Sequence, residues 1–122
     1  QDDIDYVAWC WQAGDTTVAN TEGSVNSQVR AGNGFSIVTW TNPDGGVQTV
    51  GHGLPKAPDW FFIKRLNGAS DWEVYQRDMG QFNGMALNRV NGQGTTRYSR
   101  WQLVFRHQVA NMSLTVLMIR QA

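Results

Sequence analysis

The stretch FSIVTWTNPDGGVQTV, residues 35–50, decides the fold class. Residues that suit pleated surfaces (Val, Ile, Thr, Trp and Phe) dominate its two ends, and Asn42-Pro43-Asp44-Gly45 interrupts them. Pro presets φ for a turn, and Asp-Gly supplies residues that tolerate φ > 0. Residues 35–41 and 46–50 are therefore expected to pair as a β-hairpin.

The same grammar extends in both directions. Upstream, in residues 4–12 (IDYVAWCWQ), Ile4, Tyr6, Ala8 and Cys10 alternate with Asp5, Val7, Trp9 and Trp11. Both sets are largely apolar, which predicts a central strand covered on two sides, or one whose second face meets another subunit. Period two puts Trp9 and Trp11 on one side, with Trp9 expected in the core and Trp11 at an interface. Residues 14–30 are polar and Gly-punctuated, and 24–30 read as a weak edge strand or ordered loop.

Downstream, Gly51-His52-Gly53-Leu54 leads into Pro55-Lys56-Ala57-Pro58, a crossing loop whose prolines forbid regular pairing. Residues 59–66 and 71–77 each start with Asp-Trp and form an expected antiparallel pair across Asn67-Gly68-Ala69-Ser70. A short strand at 84–89, a loop at 90–99 and strands at 101–106 and 113–120 complete the chain. Thirteen glycines and scarce Lys and Glu leave no convincing helical period. The expected fold is all-β, an antiparallel, jelly-roll-like β-sandwich forming one domain over residues 1–122.

Composition removes several function classes. Ten basic and ten acidic residues give zero net charge, so no basic surplus argues for nucleic acid. No apolar run approaches the ~20 residues of a membrane-spanning helix, so no membrane insertion is expected. The lone Cys10 supports neither an internal disulfide nor a multi-thiolate metal site. Gln1, without an initiating Met or leader, reads as the start of a processed product or of a fragment of a longer chain.

Catalytic patterns are equally sparse. His52, between Gly51 and Gly53, is expected to hydrogen-bond backbone and fix a structural turn, and His107 to be a solvated strand-end residue. No His-x-His spacing or Gly-x-Ser-x-Gly elbow occurs, and Asp2, Asp3 and Asp5 form an acidic lead-in with no Ca²⁺ ligand loop. Gly32-Asn33-Gly34 and Gly92-Gln93-Gly94 read as ordinary turns, and Asn111-Met112-Ser113 as a chance glycosylation sequon. No enzyme activity, cofactor or metal is expected.

The fourteen aromatic residues say more. Trp on a strand is either core filler or a flat platform for sugar rings or partner chains. Trp9, Trp11, Trp60 and Trp72 are the candidate interface or ligand platform.

Five blocks carry a family resemblance: YVAWCWQAG at 6–14, GFSIVTWT at 34–41, VGHGL at 50–54, APDWFFIK at 57–64 and DWEVY at 71–75. In this order and spacing, over roughly residues 6–88, the chain resembles a domain of tail-fibre and other virion proteins of tailed bacteriophages, notably marine ones. The C-terminal third departs from that pattern. The resemblance implies a non-enzymatic β-sandwich module of a tail fibre, spike or capsid decoration, located in the virion and assembled in the host cytoplasm. It implies a homo-oligomer, with a trimer preferred because fibres usually pack three-fold, alongside other virion proteins and host-surface glycans as partners. The rival reading from another class is a carbohydrate-binding module of a glycan-processing protein.

Overall fold

The computed structural model describes residues 4–42, 46–79, 83–90, 94–95, 104–107 and 112–119. The described residues form ten strands: β1 (Val18–Asn20), β2 (Ser27–Ala31), β3 (Phe35–Asn42), β4 (Gly46–Thr49), β5 (Trp60–Arg65), β6 (Glu73–Gln76), β7 (Asn83–Ala86), β8 (Gly94–Thr95), β9 (Val104–His107) and β10 (Met112–Ile119). The only helical piece among the described residues is one 3-10 turn at Arg77–Met79. No described helix is long and apolar enough to cross a membrane. The chain is all-β and sandwich-like.

Eight strands form one antiparallel sheet in the order β1-β2-β3-β10-β5-β6-β7-β8, and β4 pairs with β9 in a separate ladder. The last long strand therefore occupies the middle of the sheet. Val116 of β10 stands in register with Val38 of β3 on one side and Ile63 of β5 on the other. The Asp-Trp pair forms as expected, with Phe61 opposite Tyr75 and Phe62 opposite Val74.

Three expectations are corrected. Residues 35–41 and 46–50 do not pair with each other, because β2 and β10 already occupy both edges of β3, and β4 finds its partner in β9. Residues 4–12 form no strand. The interior place that their two apolar faces suggested is taken by β10, and without a neighbouring edge an extended segment has no ladder to join. Tyr6 is 87% exposed and Trp9 77%, so Trp9 is no part of the core. The polar stretch before β3 contributes more than a weak edge: β2 is an inner strand, and Val29 on it is buried.

The core lies on one face of the large sheet. Val29, Val38, Trp40, Phe61 and Ile63 share this face by register, and Val50 and Leu54, from beyond β4, pack against them. Burying each such side chain contributes about 1.5–3 kcal/mol. Phe61 stacks on Tyr75 at 4.8 Å between centroids, extending the cluster onto β6. Residues 43–45 of the expected hairpin turn, Asp2 and Asp3, Gly92 and Gln93, and Asn111 of the sequon lie outside the described residues.

Candidate functional site

Period two sends alternate side chains to opposite faces, so the core face leaves a second set: Phe35 and Ile37 on β3, Trp60, Phe62 and Lys64 on β5, and Val74 on β6. Register aligns them in rows. Phe35 and Trp60 flank the Ile119 position of β10, and Ile37 and Phe62 flank the Leu117 position. The rings of Trp60 and Phe62 are 6.1 Å apart and tilted by 60°. Lys64 places its Nζ 5.7 Å from the centre of the Trp72 ring, a cation–π contact that holds the indole beside the same row.

Local hydrogen bonds set Trp72 in place. Its backbone N–H donates to Asn88 Oδ1 at 2.9 Å, and its carbonyl accepts from the Leu87 N–H at 2.9 Å. Asn88 Nδ2 donates to Asp71 Oδ1 at 2.9 Å, and Arg89 pairs with Asp71 at 2.6 Å. These donors, Arg89 first and Asn88 second, hold the Asp71 carboxyl below the usual carboxylate range. Lys64 Nζ also donates to the Ser70 carbonyl. A polar rim therefore borders an aromatic surface on which Trp60 is 44% exposed and Trp72 37%.

Of the four tryptophans singled out by sequence, the sheet brings Trp60 and Trp72 onto one face. Trp11 joins its edge by stacking on Phe35, with ring centres 6.0 Å apart and planes 10° from parallel. Trp9 stands apart on the exposed segment that precedes it. Phe62 and Lys64 were not singled out, although counting by twos from Trp60 along β5 reaches both.

The Gly51-His52-Gly53 stretch belongs to the other side of the molecule and builds a turn. His52 Nδ1 accepts the Leu54 N–H at 3.0 Å, and the His52 carbonyl accepts the hydroxyl of the fully buried Ser36 at 2.6 Å. Gly53 has φ +69°, and a Cβ there would fall 2.5 Å from Val29 Cγ1. A Cβ on Gly51 would fall 2.5 Å from Asn20 Oδ1. Burial pushes the His52 pKa below the ordinary histidine value, against a smaller upward pull from Glu22. His107 ends β9 in register with Gly46.

Among the described residues no group of three or more His, Cys, Asp or Glu converges as a metal site would. Chemically, the aromatic face can stack on flat apolar partners, and its rim can exchange hydrogen bonds. No curated protein and no solved structure gives a significant match. A family model described as a domain of unknown function, DUF7483, matches residues 1–118, from the N-terminal segment into β10, and the chain belongs to that family.

Proposed function

We propose that this chain is a non-enzymatic structural module of a tailed-phage virion, in a tail fibre, spike or capsid decoration, where it packs as a homo-oligomer and presents a surface to the host. The phage element of this reading rests on the resemblance over residues 6–88. The observation that carries the packing element is the amount of aromatic surface left uncovered on one copy: Tyr6, Trp9, Trp11, Trp60 and Trp72 are all exposed. Exposed apolar surface of this kind marks interaction sites, and Trp and Tyr are the residues that anchor them. Three copies are the preferred assembly, and neighbouring virion proteins are further partners.

The test is to label purified particles of the source phage with an antibody against the chain. Gold on the tail or capsid surface is expected, and particles free of the chain would overturn the reading.

One observation favours a second reading, a carbohydrate-binding module. Trp60 and Trp72 lie on one open face beside Lys64, Asp71 and Asn88, a combination suited to stacking on a sugar ring while bonding its hydroxyls. A glycan array decides it, since binding lost in Trp60→Ser and Trp72→Ser supports the module and a blank array removes it.

A further inference from the structure

Resting on the homo-oligomeric reading above, we propose that residues 4–10 of one copy lie across the aromatic sheet face of a second copy. The segment has the alternation of a strand, yet among the described residues 4–10 make no hydrogen bond, ion pair or ring contact. Ile4, Tyr6, Val7 and Trp9 are each more than two-thirds exposed. A sequence built to be covered is left bare in a single copy.

The chemistry of the docking is already visible at the root of the segment. Trp11 lies flat on Phe35, the first residue of the row that continues through the Ile119 position to Trp60. An aromatic side chain of the arm therefore fits an aromatic side chain of this face, and past that contact Trp60 and Trp72 on the face and Ile4, Tyr6, Val7 and Trp9 on the arm stay exposed. Charge agrees with this placement: Asp5 is the only charged residue among 4–11, and Lys64 and Arg30 stand on the face.

Dimensions agree as well. Seven extended residues reach ~23 Å at about 3.3 Å each, and the step from β3 through β10 and β5 to β6 is three strand spacings, or about 14 Å. Period two puts Val7 and Trp9 on one side of the extended arm and Ile4 and Tyr6 on the other, so one row meets the face. Trp9 would bury ~150–250 Å², and with Val7 and the matching area on the partner each contact comes to roughly 600 Å², the size of a weak contact that a closed ring repeats at every copy. Arm and face are different surfaces, so the contact is head-to-tail, and it closes into a ring when the rotation between copies allows.

Sedimentation equilibrium of the full chain, of Trp9→Ser, of Trp60→Ser and of their equimolar mixture tests the proposal. The full chain is expected to associate at micromolar concentration, and each variant to associate about 30-fold more weakly or worse, as for a hot-spot side chain. The mixture is expected to recover a two-chain species, because one variant keeps its face and the other its arm. A monomeric full chain overturns the homo-oligomeric reading together with this inference. An associating full chain whose variants both associate normally overturns the inference alone. Loss in only one of the two variants also overturns it, since arm and face would then serve different contacts. If Trp60→Ser fails to fold, Trp72→Ser interrogates the same face.

Discussion

Replacing Gly53 by Ala perturbs the turn that joins the His52 loop to the core, and its cost can be worked from geometry. Gly53 has φ +69°, a region that costs a residue with a Cβ roughly 1–2 kcal/mol. The new Cβ would also stand 2.5 Å from Val29 Cγ1 and 3.3 Å from Ala31 Cβ. Carbon atoms prefer separations of about 3.5–4.0 Å, so the turn or β2 must give by about 1 Å. Val29 is 1% exposed and close-packed, so this is overpacking, which costs about 1–3 kcal/mol. The stiffer unfolded chain returns about 0.4–1 kcal/mol. The net loss is about 1–4.5 kcal/mol out of the ~5–15 kcal/mol available to a domain.

Urea denaturation reads this as a fall in midpoint of roughly 0.5–2 M at a slope of about 2 kcal/mol/M. Gly68→Ala is the internal control: a Cβ there meets only the far end of the Arg65 side chain, and the expected change is within about 0.5 kcal/mol. If Gly53→Ala keeps the wild-type midpoint, or shifts it no more than Gly68→Ala does, then the turn is not seated on β2 as described.

Three further outcomes follow from the same elements. Ser36→Ala strands the His52 carbonyl without its buried hydroxyl donor and should cost about 1–3 kcal/mol in the same denaturation assay. The folded-state pKa of His52 is depressed, so in acid the unfolded chain binds the proton more readily; the part of stability tied to His52 is full above the ordinary value of 6.5 and is lost as pH falls below it. His52→Asn, whose Oδ1 can accept the Leu54 N–H in an Asx-type turn, should flatten that part of the pH profile while leaving stability at pH 7 within about 1 kcal/mol. Trp9→Ser should leave the thermal midpoint of a dilute, unassociated chain within about 3 °C, because the removed side chain is exposed and surface changes lie within about 0.5 kcal/mol.

The strands were largely legible in the sequence, and their long-range partners were not. Residues 59–77 announced both strands and their pairing because the two runs are separated by a short Asn67-Gly68-Ala69-Ser70 link, and local pairing is visible locally. The run ending in Val116-Leu117-Met118-Ile119 announced a strand, but nothing in it says that it inserts between β3 and β5. That insertion is a long-range choice, and it consumed the β3 edge that residues 46–50 were expected to fill. Residues 4–12 illustrate the complementary failure: alternation records a tendency to be covered, not which chain does the covering. The same limit applies to the site. Trp60 and Trp72 stood out as Trp on strands, whereas their meeting on one face beside Lys64 depends on the β5–β6 register.

The most direct measurement is the mass of the intact chain in solution at micromolar concentration, by native mass spectrometry or light scattering. A species at three times the 13.7 kDa of one chain is expected, held by the surfaces that a single copy leaves exposed. A single species at 13.7 kDa, unchanged on concentration, would contradict the view that these tryptophans exist to join copies of this chain.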